Sequence, residues 1–380
     1  MTTTAATPER VRELLLQAYR LTDGDAKIAL AEEAVRLADI CADFDLVYAA
    51  RECLIYAATF GGAPEKALVA YSWTLAQYDL RPQDVREWDV LWNYKWILDS
   101  IASFPRIGKA QILEMLDDMA ARYRRAGYSL RPNYLMRNRL YKFWDEAEAA
   151  RYFHKGRETP RDLMSDCETC ELNDVVDFAL RSGDDAAAVD AAAPIIEGRM
   201  RCSSIPKITF ANLLLPLVRL GRLDEAASLH AQGYRLVAQV PKGSVSSAAQ
   251  HLKFLAVTEN FDRAVGMFEK HLAHAFALID AAAKFDYYLA SRFLLERVAT
   301  RVRATLKLRL PPAFPAHDEG GTYDAARLAA WFLAECEELA ARFDARNESD
   351  YYTRRIRDTA ALAQLVTPHP IREAAELAAL

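Results

Sequence analysis

A unit of about 38 residues, marked by a helix breaker and by Ala five positions later, constrains this chain more than any other feature. Gly183 pairs in this way with Ala188, Gly221 with Ala226 and Glu259 with Ala264, so the three breakers stand 38 positions apart. Gly62 and Ala67 carry the same mark earlier. Tyr71 and Phe268 follow their Ala by four places, a step that puts both residues on one helix face. A period of this size, with helical pattern on both sides of the marker, predicts helix hairpins that stack into an all-α solenoid. Such a fold offers a groove to a partner rather than a set of reacting groups.

Composition agrees. The 380 residues are 52% hydrophobic, enough for a long array or two domains, and hold only 14 Gly and 15 Pro. No run of strand length alternates apolar and polar residues, which predicts helix throughout. The net charge of −5 gives no general attraction to nucleic acid or to an anionic membrane. The clusters Arg122, Arg124, Arg125 and Arg354, Arg355, Arg357 read as solvated helix faces. Residues 1–8 form a flexible polar lead without the pattern of a signal peptide, and no apolar stretch approaches the ~20 residues of a membrane span. Six cysteines are too few for a disulfide scaffold, so a reducing cytoplasm is expected.

Along the chain, helix hairpins are predicted over 9–274, with an irregular stretch at 79–144, followed by a C-terminal helical cap over 275–380 with a loop at 310–323. Within the irregular stretch, Leu80-Arg81-Pro82 leading to Tyr94-Lys95-Trp96 resembles Leu130-Arg131-Pro132 leading to Tyr141-Lys142-Phe143-Trp144, which suggests two related units. Trp88, Trp92 and Trp96 fall four apart on one helix face and read as core, with a stacking platform as the alternative. Phe285 to Leu308 reads as one long helix, and Asp324 to Phe343 and Tyr351 to Val366 as the last two.

The Gly and Ala markers, with a large residue four further on, resemble the tetratricopeptide repeat over residues 9–272. Ala192 and His230 stand where that pattern favours an aromatic, and the unit is longer than the family's ~34 residues. The resemblance implies a right-handed superhelix whose first helices line a concave wall. The chain also resembles uncharacterised bacterial proteins of this type that carry a Cys-x-x-Cys segment and an Asp-Ala-Arg-Asn stretch, here Asp344 to Asn347, and that likeness implies no activity.

Two constellations stand out. Counted back from the marker Ala residues, Asn138, Asn173, Asn212 and Gln250 fall on or beside the wall that the tetratricopeptide pattern implies. An amide both donates and accepts, so it pairs with an extended peptide irrespective of side chains. Lys142, Lys207 and Arg219 would add charge-assisted bonds to an acidic or C-terminal partner. Separately, Cys167-Glu168-Thr169-Cys170 is followed by Cys202, close to one repeat later. Three thiolates from adjacent hairpins suit a structural Zn²⁺, with His154 or Asp166 as a fourth ligand; buried free thiols and a disulfide or redox pair are the alternatives. Cys41, Cys53 and Cys336 read as core.

Other signals are weaker. His271 and His274, three apart, read as surface histidines without an HExxH pattern, and no phosphate loop, nucleophile elbow or dinucleotide fingerprint occurs. The run Arg297, Arg301, Arg303, Lys307, Arg309 could hold phosphate or an acidic helix. The expected function is a non-enzymatic protein- or peptide-binding scaffold. The alternatives are a regulator that responds to a ligand or signalling peptide, and an enzyme hidden in the irregular regions.

Overall fold

A computed structural model describes residues 6–371. They fall into two units, the first comprising residues up to 165 with 278–280 and the second 166–277 with those from 281 onward. Of the expected lead 1–8, residues 1–5 lie outside the described residues, and the Thr7 hydroxyl caps the first helix by accepting from the Arg10 N–H.

The first unit is built from α1 (Pro8–Arg20), α2 (Asp25–Cys41), α3 (Phe44–Gly61), α4 (Pro64–Leu80), α5 (Glu87–Ile101), α6 (Lys109–Arg125), α7 (Arg131–Tyr141) and α8 (Glu146–Glu158). Neighbours in sequence pack together, and α1, α3, α5 and α7 also touch in succession, the layer expected of stacked hairpins. The two Leu-Arg-Pro stretches do different work. The first ends α4, with Arg81 over the Phe44 ring. The second opens α7, where the buried Arg131 guanidinium donates to Gly156, Arg157 and Thr159 carbonyls at the end of α8.

The second unit contains α9 (Glu168–Arg181), α10 (Asp185–Ala191), α11 (Ala193–Ile196), α12 (Lys207–Arg219), α13 (Leu223–Gln239), α14 (Val245–Val257), α15 (Phe261–Ala277) and α16 (Ala281–Arg301), then β1 (Thr305–Lys307), β2 (Thr322–Asp324), α17 (Ala325–Asn347) and α18 (Tyr351–Ala361). Here α9, α12, α14 and α16 touch in succession while their mates pack outside them. The architecture is all-α, in repeat-like hairpins.

The sequence marker has a concrete geometry. Gly62, Gly183, Gly221 and Glu259 all take left-handed backbone, with φ of 83°, 77°, 72° and 57°. In each case the next residue's N–H returns to the carbonyl five residues back: Ala63 to Ala58, Asp184 to Ala179, Arg222 to Leu217 and Asn260 to Leu255. This is the closure that satisfies the last carbonyls of a helix, and it favours Gly because a side chain there is strained. The marker residues Ala67, Ala188, Ala226 and Ala264 are fully buried where the mate helix approaches.

Several expectations need correction. The helix predicted over 285–308 ends at Arg301, and Thr305-Leu306-Lys307 pairs antiparallel with Thr322-Tyr323-Asp324 across the Pro-rich loop. Three residues are too few to register as alternation in sequence. The Trp stripe is only partly core: Trp92 and Trp96 are half-buried against it, whereas Trp88 is 41% exposed and stacks on Trp92, because α5 turns Val90, Leu91, Tyr94, Ile97, Leu98 and Ile101 inward. Cys41, near the end of α2, is half-buried rather than core, unlike Cys53 and Cys336. The arginine clusters are partly built in. Arg122 is held by Asp79 and Asp118, and Arg355 by Asp286 at 2.6 Å. Arg297 and Arg301 converge on Glu259, and Arg303 on Asp262, so the 297–309 run already faces acids of its own chain.

The segment after α18 runs back to the α14–α15 turn. Thr367 and His369 N–H groups donate to the Val257 and Thr258 carbonyls. The Asn260 amide donates to the His369 carbonyl and accepts from the Ile371 N–H.

Candidate functional site

The wall made by α9, α12 and α14 gathers three of the amide and cation positions singled out in the sequence. Asn212, Leu215, Pro216 and Arg219 lie at helical steps of three and four on one face of α12. With Asp177 and Leu180 from α9 and Gln250 from α14, they line an open cavity of about 260 Å³. Pro216 lies inside α12 and has no N–H, so it cannot donate to the Asn212 carbonyl one turn earlier. The charges of the wall are already balanced. Arg219 makes a two-pronged bond to Asp185 at 2.6 and 2.8 Å, and Asp177 accepts from Arg181 at 3.0 Å.

The remaining positions lie elsewhere. Asn173 accepts from the buried Thr209 hydroxyl at 2.6 Å, which ties α9 to α12. Lys207 is half-buried at the first turn of α12 and does not line the cavity. Asn138 is fully buried in α7 of the first unit, facing core rather than an open wall. Sequence offsets place Asn173, Asn212 and Gln250 on α9, α12 and α14, and rotation about each helix decides which side chain lines the cavity.

The cysteines do converge. Cys167 is the N-cap of α9 and its Sγ accepts from the Cys170 N–H at 3.4 Å. Cys202 sits in the connection before α12, its own N–H bonded to the Ile205 carbonyl. The three Sγ atoms lie within 4.8 Å of one another, and those of Cys170 and Cys202 are 3.5 Å apart. Burial, then the neighbouring sulfurs, pushes the Cys170 thiol well above its usual range. Among the described residues neither His154 nor Asp166 joins this group. The arrangement could hold a soft metal ion or form a disulfide.

A histidine cluster was not legible in the sequence. His230 and Tyr234 on α13, His251 on α14 and His271 on α15 meet in the core of the second unit. His230 Nδ1 and His251 Nδ1 are 3.0 Å apart, and the Tyr234 hydroxyl is 3.2 Å from His271 Nε2. His271 is fully buried, which corrects the surface reading. Gly233 makes room, since a Cβ there would come within 3.1 Å of His251 Cε1 and of Phe210 Cβ. Burial lowers His230 and His271 to about 4 and holds His251 well below its ordinary value, so all three are neutral near pH 7. A second cavity, of about 320 Å³, is lined by Ile195, Ile196, Phe210 and Leu236 with Arg201 and Arg235 among its polar edge. No helix among the described residues is long and apolar enough to cross a membrane.

No family model matches the chain, and no curated protein is significantly similar to it.

Proposed function

We propose that the protein is a non-enzymatic scaffold that binds an extended segment of a protein partner on the α9–α12–α14 wall. The observation that carries this reading is that Asn212 and Gln250, from the neighbouring helices α12 and α14, line one open cavity. Side-chain amides, which both donate and accept, match the repeating N–H and C=O groups of an extended peptide, irrespective of its side chains. With Arg219 and Asp177 already paired, recognition rests on hydrogen bonding more than on charge.

The test uses the full-length chain with a photocrosslinking amino acid at Leu215. A partner crosslinked there should bind the Asn212→Ala, Gln250→Ala double variant about tenfold more weakly, the effect of losing one or two net hydrogen bonds. Thermal stability should be nearly unchanged, because neither amide is fully buried. Unaltered affinity in a folded double variant would discard the groove.

A further inference from the structure

The three cysteines lie outside the proposed groove and are not needed for it. Two come from the first turn of α9 and the third from a separate connection, yet all three sulfurs lie within 4.8 Å of one another. Thiolates bound to zinc at ~2.3 Å in a tetrahedral arrangement stand about 3.8 Å apart. The 3.5 Å between Cys170 and Cys202 brackets that spacing from below, and the third sulfur needs to move by no more than about 1 Å. Soft sulfur donors select zinc or a similar thiophilic ion over magnesium or calcium. Cys167 also caps a 14-residue helix, whose N-terminus favours a negatively charged sulfur.

A closed structural zinc site needs four protein ligands, whereas three leave a position for water or another ligand. Among the described residues no histidine, aspartate or glutamate supplies a fourth atom to the group, and Cys167 is exposed, so solvent reaches its edge. From this geometry we propose that Cys167, Cys170 and Cys202 bind one zinc ion as three thiolates, with the fourth position open to water and exchangeable for an external thiol or imidazole. Binding releases the thiol protons to solvent and changes no oxidation state. The ion clips the connection carrying Cys202 to the start of α9, and an added ligand enters without unseating the protein sulfurs.

The experiment uses the reduced full-length chain with zinc, then cobalt as a spectroscopic replacement. Elemental analysis should find one zinc per chain, and cobalt should give sulfur-to-metal charge-transfer bands with the intense visible bands of a four-coordinate site. Imidazole or β-mercaptoethanol should then shift the visible bands while the charge-transfer bands persist. Cys170→Ser and Cys202→Ser should each abolish stoichiometric binding, whereas Cys53→Ser and Cys336→Ser should retain it. A wild-type chain that takes up no metal while all three thiols alkylate freely overturns the proposal. So does a mass two hydrogens short, mapped to a Cys170–Cys202 disulfide in protein prepared without oxidant. Cobalt spectra that ignore both added ligands overturn the open position. These wild-type readouts hold even where a serine variant fails to fold, and none depends on partner binding.

Discussion

Acidification should loosen the second unit through its three buried histidines. In the unfolded chain each titrates near 6.5, whereas His230 and His271 are held at about 4 in the fold, chiefly by burial. Positive neighbours act in the same direction: Arg263 on His230, and His274 and Lys270 on His271. Because the folded values are depressed, the unfolded state binds more protons between about pH 6.5 and 4, and stability must fall as pH drops through that window. A shift from 6.5 to about 4 corresponds to roughly 3 kcal/mol for each of these two residues, at ~1.36 kcal/mol per pKa unit. His251, also held well below its ordinary value by burial, adds in the same direction. Those sums rival the ~5–15 kcal/mol stability of a typical domain, so the unit should open before pH 4 is reached. Hydrogen exchange resolved by peptide, corrected for intrinsic rates, should show α14 losing protection between pH 6.5 and 4.5. The first unit supplies an internal contrast. Glu52 is raised to about 7 by burial, against the opposing hydrogen bond from Asn93. Its contribution is complete below the unfolded value near 4.5 and is lost as pH rises through 7, so α3 should move the other way. Equal protection of α14 at pH 6.5 and 4.5, or an unchanged pH slope in His271→Gln, would refute this account.

Two further outcomes follow from the backbone and from a paired charge. Gly183→Ala and Gly221→Ala place a side chain at φ of 77° and 72° and should each destabilise by about 1 kcal/mol in urea titration, while Gly266→Ala, exposed inside α15 with nothing within 4 Å of its Cβ, should stabilise by up to about 1 kcal/mol. Asp286→Asn leaves the Arg355 guanidinium without its anion and should cost about 2 kcal/mol, below the ~3–5 kcal/mol of a fully buried pair because the two side chains keep 20% and 26% exposure. Calorimetry of the variant reads this directly, and an unchanged Tm would show that Arg355 finds another partner.

The marker was legible because it is local chemistry. A left-handed residue closes each hairpin's first helix, and the small Ala five positions on takes the close approach of the neighbouring helix. The same period brought Cys202 beside Cys167 and Cys170, since one repeat of offset becomes one neighbour in space. The histidine cluster escaped because its members sit on three helices, at 230, 251 and 271, where no single helix face shows them together. The amide positions show what periodicity can and cannot place. Periodicity chose the helices α9, α12 and α14, but Asn173 turned toward Thr209 and Asn212 toward solvent. The strand pair at 305–307 and 322–324 was invisible for another reason: its pairing is held across a loop and not by any propensity of three residues.

Stacked hairpins ordinarily melt inward from an end, since a terminal repeat has a neighbour on one side only. Here the tail does not stop at α18 but returns to the turn between α14 and α15, where Asn260 grips the backbone on both sides of Pro370, at His369 and Ile371. The stretch from Asn260 to Ile371 is thereby closed into a loop by hydrogen bonds. Its last helices cannot peel away one by one while that knot holds. The left-handed turn that marks the repeat in sequence is, at this position, also the clasp that closes this stretch of chain on itself.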